Sequence, residues 1–226
     1  MMRVSVLIPY KPDYGRRDDL WSYAQKRYAL FMPYIEICVG RDDSVPFCRS
    51  KAVNEAAKKA TGDIFIIADT DVIFNPGLII RLLAVIDQHP WVVPFQNGYK
   101  LTRQKTDEII ARGHQPVIWV NPDDYEYIQP GPGPLMNAMK RSCFEMIGGL
   151  DERFRGYGYE DMAMVMALET LCGHYFVMET EIFHLWHEPV DMKSISPNNT
   201  DLWMQYNIAF GNREAMRKLI QGGGLG

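Results

Sequence analysis

Two pairs of carboxylates and one pair of imidazoles are the residues of this chain best suited to chemistry. Asp69 and Asp71 directly follow the apolar run Ile64–Ala68, Glu160 and Asp161 follow a glycine-rich stretch from Gly148, and His184 and His187 close a late apolar segment. Acids at the carboxyl end of a buried strand cost free energy unless a cation sits beside them. A hard divalent ion such as Mg2+ or Mn2+, with a phosphate as co-ligand, suits oxygen donors of this kind. Asp69 and Asp71 would serve equally as turn residues, or as the cap of a helix beginning near Pro76. Glu160 and Asp161 fall at the expected start of a helix, where the dipole favours the ionised form and lowers its basicity. A base placed there needs partial desolvation to be effective, and the plain alternative is dipole complementation. Gly149, Gly156 and Gly158 imply that backbone or ligand comes close nearby. His184 and His187 are three apart, so on a strand they face opposite ways and only one is expected in a given site. Two acids and one imidazole would suit Mn2+, which accepts mixed oxygen and nitrogen ligation.

The elements that must position these groups follow from periodicity. Ile64–Ala68 is a run of β-branched and aromatic residues, the pattern of a strand buried on both faces of a parallel sheet. In open α/β sheets the carboxyl edge of such strands is where ligands bind. Before it come a strand over Arg3–Pro9 with a loop to Gly15, a helix over Asp18–Met32, a strand over Tyr34–Val39, and a helix over Pro46–Ala60 stopped by Gly62. After it come a helix from Asn75-Pro76 to Gln88 and a strand over Trp91–Phe95. That alternation predicts a doubly wound, mostly parallel sheet flanked by helices. The second half reads as a helix over Thr102–Arg112, a short strand over Val117–Asn121, and an irregular proline-rich loop over Asn121–Pro134. A capping box of Ser142 and Glu145 opens a short helix, and a longer one covers 160–171. Strands over Tyr175–Met178 and Ile182–Trp186, one terminal helix over Thr200–Ile220 and a frayed tail over Gly222–Gly226 complete the expectation. Residues 1–100 would form a nucleotide-binding half, 101–190 an acceptor-side half, and 191–226 a C-terminal helix and tail of one domain.

Composition narrows the partners. Apolar residues make up 47% of the 226, charged residues 23%, and the formal net charge is −4. That suits one large α/β domain and lacks the basic footprint of non-specific nucleic-acid binding, so a nucleic-acid acceptor is not favoured. Cys38, Cys48, Cys143 and Cys172 show no Cys-x-x-Cys spacing, which leaves buried free thiols in a reducing compartment as the simplest account. No apolar run approaches the ~18 residues of a membrane span, and Val4–Tyr10 is too short and too quickly interrupted for a signal peptide. The Asn198-Asn-Thr200 sequon carries little weight beside this, and a cytoplasmic location is expected.

The combination Arg49…Asn54…Ala60-Thr-Gly-Asp-Ile-Phe-Ile-Ile-Ala-Asp69-Thr-Asp71 with Gly148-Gly-Leu-Asp-Glu-Arg-Phe-Arg-Gly-Tyr-Gly-Tyr-Glu-Asp161 resembles the metal-dependent glycosyltransferases of GT-A fold. The second segment is similar to that of the β-1,4-galactosyltransferase group and related polysaccharide-synthesising enzymes. The likeness spans roughly residues 1–190. It implies transfer of a sugar from a nucleotide-diphosphate sugar, UDP-linked by expectation, to a hydroxyl of a carbohydrate or other acceptor, with inversion. It also implies that Asp69 and Asp71 sit at a Mn2+ or Mg2+ ion and the diphosphate, with His184 completing the metal site and His187 as its alternative. Pro9, Tyr10 and Asp42 or Asp43 would hold the nucleoside, and Arg49 would reach the base or diphosphate. Asp161 would be the general base, Glu160 would hold a sugar, and Gly158 and Tyr159 would line the acceptor side. Trp119, Tyr125 and Tyr127 are aromatic candidates for stacking on the acceptor. Tyr157 stands where a Trp is usual, and Val39-Gly-Arg-Asp-Asp replaces the usual apolar run before Asp-Asp-Gly. The rival readings are a nucleotidyltransferase, for which Pro9–Gly15 lacks a glycine-rich cationic loop, and a non-catalytic sugar-nucleotide or carbohydrate-binding module.

Overall fold

Residues 2–188 and 196–222 are described by a computed structural model, so the expected tail at 223–226 lies outside them. The first elements alternate as their periodicity predicts: β1 (Val4–Tyr10), α1 (Arg16–Phe31), β2 (Glu36–Arg41), α2 (Arg49–Lys59) and β3 (Ile64–Ala68). All five residues of β3 are buried, as expected of a strand covered on both faces. α1 turns Leu20, Tyr23, Ala24, Arg27 and Tyr28 inward, with the guanidinium of Arg27 fully buried and donating to the carbonyls of Phe74 (3.2 Å) and Pro116 (3.1 Å). α2 starts three residues later than Pro46, because Asp42 accepts a hydrogen bond from the Cys48 amide (2.9 Å) and the Cys48 sulfur then caps the helix at Lys51. Its small-residue face lies directly on β2: a Cβ added to Gly40 would stand 1.7 Å from the carbonyl oxygen of Ala52 and 2.6 Å from the amide nitrogen of Ala56.

The chain continues through β4 (Val72–Phe74), α3 (Gly77–Val85), β5 (Trp91–Val93), β6 (Asn97–Leu101) and α4 (Arg103–Ala111). It then forms β7 (Tyr125–Gln129), β8 (Met136–Lys140), α5 (Arg141–Met146), α6 (Glu160–Leu171), β9 (Phe176–Val177), β10 (Glu181–His184), α7 (Pro197–Ala209) and α8 (Arg213–Ile220). Six strands make the main sheet in the order β2-β1-β3-β8-β5-β9, and four make a second sheet in the order β4-β10-β6-β7. β1 pairs in parallel with β2 and β3, and β5 with β9, but β8 runs antiparallel to both β3 and β5. The expected continuous alternation is therefore interrupted: β5 is not the neighbour of β3, because β8 arrives from later in the chain and separates them.

Several local expectations are corrected. Val117–Asn121 forms no strand; the Ile118 amide is spent on the Asn75 side chain (2.9 Å) instead. Asn75 is thereby diverted from capping α3. Within the expected irregular loop, Tyr125–Gln129 forms a strand because β6 offers it an antiparallel edge. Ser142 and Glu145 make no capping box; α5 begins after Lys140, and Glu145 pairs with Arg141 (2.9 Å). The single terminal helix is two, divided at Phe210-Gly211-Asn212, where Gly211 has a φ of +76° and the Asn212 side chain caps α8. No helix among the described residues is long and apolar enough to cross a membrane.

Candidate functional site

β3 ends at Ala68 and the chain turns at once into β4, so Asp69 and Asp71 lie on the corner between the two sheets. β10 pairs antiparallel with β4, with His184 opposite Val72, which brings His184 to the same corner. Beyond His184 the chain stops being a strand. The Leu185 amide donates to the Asp71 carbonyl (2.8 Å) and the Trp186 amide to the Thr106 hydroxyl (2.8 Å), and these bonds fold His187 back toward Asp71. The Nε2 atom of His184 lies 3.3 Å from Oδ1 of Asp71, and that of His187 lies 3.2 Å from Oδ2. The expectation that only one histidine enters the site is thus corrected, because strand alternation ends between them.

These three side chains could hold a metal ion: one ligand atom from each of Asp71, His184 and His187 lies within 4.8 Å of the others. The polar accounting supports an ion there. Asp71 is 4% exposed, and its Oδ1 is buried without a hydrogen-bond donor, since the nearby His184 nitrogen makes no hydrogen bond to it. Burial, outweighing the pull of Asp71, pushes the His184 pKa down to about 4, so the ring is neutral with a lone pair to offer at pH 7. His187 Nδ1 sits 2.7 Å from the Glu188 carbonyl, and donation there leaves Nε2, which Arg17 Nη2 approaches at 3.4 Å, as the acceptor nitrogen, the tautomer a ligand needs. Asp69 is not in this group. Its Oδ1 accepts from Nε (3.1 Å) and Nη2 (2.7 Å) of Arg49.

Arg49 is the hinge of the acidic side. Besides Asp69 it donates from Nη1 to Oδ1 of Asp161 at 2.6 Å, with its own side chain only 14% exposed. It is therefore engaged by two carboxylates in this structure rather than reaching outward. Burial raises the Asp161 pKa against the pull of Arg49, and Asp69 adds to the rise. At Asp69 burial also pushes upward, but the charge and hydrogen bonds of Arg49 prevail and hold the carboxyl below its ordinary range. Glu160 has no such partner: burial and the Asp161 charge push it up to about 7, and its Oε2 is buried without a hydrogen bond.

The loop that presents Glu160 and Asp161 is tied from both sides. On the α2 side, Asn54 exchanges hydrogen bonds with the backbone of Leu150 (2.8 and 2.9 Å), and the Gly156 amide donates to the Phe47 carbonyl (2.9 Å). On the α7 side, Asn199, 1% exposed, accepts from the Arg155 amide (3.1 Å). It donates to the carbonyls of Arg155 (3.0 Å), Tyr157 (3.3 Å) and Gly158 (3.2 Å). Tyr159, at a φ of +73°, stacks on Trp203 at 4.8 Å between centroids. Sequence reasoning missed Asn199 and Trp203; nothing in their spacing marks them, since they act across a gap of some forty residues.

The nucleoside-side candidates are partly committed to structure. Asp42 is 3% exposed, receives Lys51 (3.0 Å), the Cys48 amide and the Ser44 hydroxyl, and is held well below the usual carboxylate range despite its burial. Asp43 is exposed. Pro9 is buried in β1 opposite Gly40, and the Tyr10 hydroxyl donates to Asp18 (3.0 Å) under the guanidinium of Arg41. Gly158 and Tyr159 lie immediately before the acids, while Trp119 stands 81% exposed. A cleft of about 420 Å³ between α1 and α4, lined by Asp19, Tyr23, Asp107 and His114 among others, contains none of the candidate residues.

Residues 36–137 match the family model described as glycosyl transferase family 2, and no curated protein matches the chain. The fold is that of the GT-A glycosyltransferases. The catalytic domain of Drosophila β1,4-galactosyltransferase 7, in complex with xylobiose, superposes over 88% of this chain and 79% of its own with a TM-score of 0.58 at 14% identity. A mutant of that enzyme, in complex with manganese, UDP-Gal and xylobiose, covers 85% of this chain and 78% of its own with a TM-score of 0.51 at 11% identity. Residues 1–349 of S. aureus TarS, in complex with UDP-GlcNAc, cover 98% of this chain and 71% of their own with a TM-score of 0.57 at 12% identity.

Proposed function

From a match to the glycosyl transferase family 2 model over residues 36–137 and a GT-A fold, we propose a metal-dependent glycosyltransferase. It moves a sugar from a nucleotide-diphosphate donor, UDP-linked by our reading, to an acceptor hydroxyl with inversion. The single observation that carries this is the corner where Asp71, His184 and His187 converge, next to a second, partly neutralised set of acids at Glu160 and Asp161. Fold relatives bound to manganese and UDP-sugars support a divalent ion and a nucleotide sugar as the occupants.

Asp71, His184 and His187 would hold Mn2+ or Mg2+, with Asp69 beside them. The ion supplies offsetting charge for the diphosphate as it leaves. Asp161, its basicity raised by burial, takes the proton of the acceptor hydroxyl as that oxygen attacks the anomeric carbon. The bond from that carbon to the diphosphate oxygen breaks in the same displacement, which inverts the centre. Arg49 holds Asp161 and Asp69 at fixed separation, so base and donor side keep one geometry. Glu160, held toward its protonated form, is suited to donate a hydrogen bond to a sugar hydroxyl. Pro9, Tyr10 and the exposed Asp43 would meet the nucleoside, with Gly158, Tyr159 and Trp119 on the acceptor side.

The test is thermal unfolding of the purified protein against UDP, GDP, ADP and their sugar conjugates, with Mn2+ or with EDTA. Ligand that binds only the folded state stabilises by about 2.7 kcal/mol at a hundred times its Kd. A shift with a nucleoside diphosphate that requires the metal is expected. A shift with triphosphates alone would replace this reading with a nucleotidyltransferase.

A further inference from the structure

Lys100 is a charged residue of this corner that neither the metal ligands nor the acids engage. It lies in β6 directly opposite His184 of β10 in a parallel register. Paired strands lie about 4.8 Å apart and opposite residues share a face, so Lys100 stands beside His184 on the side that holds Asp71. The acids around it face other groups: Asp69 and Asp161 pair with Arg49, while Asp71 lies against the two histidine rings with its Oδ1 still without a donor. Lys100 makes no ion pair with a described residue. Burial lowers the pKa of its ammonium group, while the charges of Asp69 and Asp71 oppose that drop. A second such cation is Arg17, whose Nη2 lies 3.3 Å from Nδ1 of His187 and which has no carboxylate partner among the described residues.

The charge count of the corner then points to what completes it. Asp69, Asp71 and Asp161 are matched by Arg49, Lys100 and Arg17, so a divalent ion on the histidine trio would leave two positive charges uncompensated, or one where Glu160 is ionised. A diphosphate esterified at both ends, as in a nucleotide sugar, carries two negative charges. We propose that Lys100 couples the metal to the diphosphate: it repels a divalent ion bound alone and is compensated when a diphosphate binds beside the ion. A nearby cation lowers the affinity for a metal ion, and an anion that cancels both raises it. Because such coupling is reciprocal, the metal tightens the diphosphate by the same factor. Metal and donor then load together, and the corner discriminates against either one alone. The proposal rests on the donor-site reading above.

The experiment is a Mn2+ titration of the purified protein, followed by the electron paramagnetic resonance of free Mn2+. It is run without and with UDP, and with inorganic diphosphate as a base-independent probe, correcting for complexes formed in solution. Wild type is expected to bind Mn2+ at least ten-fold more tightly when the diphosphate is present, within the range of ordinary coupling of roughly 5–150-fold. In Lys100→Met, Mn2+ alone should bind more tightly than in wild type, and the coupling factor should fall by about ten-fold. Lys100→Arg, which keeps the charge, should keep the coupling. A general loss of structure would weaken both ligands, so the opposite signs separate coupling from damage. Unchanged coupling in Lys100→Met, or weaker binding of Mn2+ alone, overturns the proposal and leaves the donor site standing. A wild-type protein that binds neither Mn2+ nor any diphosphate overturns the donor-site reading itself.

Discussion

The guanidinium of Arg49 touches Asp161 at 2.6 Å, joining a residue before the first aspartate pair to one far beyond it. The same group holds Asp69 at 2.7 Å. Removing the cation leaves two half-buried carboxylates, 26% and 14% exposed, facing each other. Loss of one partner of a buried pair costs about 3–5 kcal/mol, and Arg49→Met is expected near the lower end because Asp161 can take up a proton instead. Urea denaturation measures this. Asp161→Asn should cost less, since Arg49 still has Asp69 to neutralise it.

Glu160 makes a prediction about pH. Its folded pKa, about 7, lies above its ordinary value, so the folded state favours the protonated form. The stabilisation from that proton is complete below about pH 4.5 and is lost as pH rises through 7. Glu160→Gln keeps a neutral side chain at every pH, so it should be close to wild type at pH 5 and more stable at pH 8. The difference is on the order of 2–3 kcal/mol at most, taking 1.36 kcal/mol per unit. Thermal melts at the two pH values read it, and equal stability of the pair at pH 8 would rule out a buried, unpaired Glu160.

Asp71 is the only carboxylate of the trio that could hold a metal ion. Asp71→Ala is expected to abolish the metal-dependent shift in melting temperature with nucleoside diphosphates, as chelation should in wild type. Asp69→Ala should weaken that shift without abolishing it, because Asp69 stands outside the trio. Retention of full Mn2+-dependent nucleotide binding in Asp71→Ala would defeat the metal assignment.

Gly40 tests the packing beneath the site. A methyl group there would meet the backbone of α2, and neither Ala52 nor Ala56 can step aside without moving the helix that carries Arg49. Gly40→Ala should destabilise by about 1–3 kcal/mol, the ordinary range for overpacking. It should also weaken metal-dependent nucleotide binding through a shifted Arg49. Denaturant midpoints and the nucleotide melts check the two effects separately.

Elements whose apolar pattern was uninterrupted were legible in the sequence. β3, α1 and α6 fall within a few residues of expectation because each buries a face that its own periodicity defines. What was not legible is pairing over distance. Met136–Lys140 has no strand signal of its own and becomes β8 because β3 and β5 leave a slot between them. Tyr125–Gln129 becomes a strand only because β6 offers an edge. At the site, the acids could be named from their spacing after a buried strand and a glycine-rich loop. The joint approach of His184 and His187 could not, because it depends on where β10 stops, and that is set by bonds to Asp71 and Thr106. The role of Arg49 as a bridge between two acids was hidden for the same reason.

Asn199 fixes the shortest stretch of chain that can present these acids. Its one side chain satisfies an amide and three carbonyls of the loop between Arg155 and Gly158. A fragment ending at His187 would contain every candidate metal ligand and both acids of the glycine-rich segment, yet it would leave those four backbone groups to water. In such a fragment Glu160 and Asp161 would still be present in composition and absent in register, so the smallest unit that holds them in place should extend through α7.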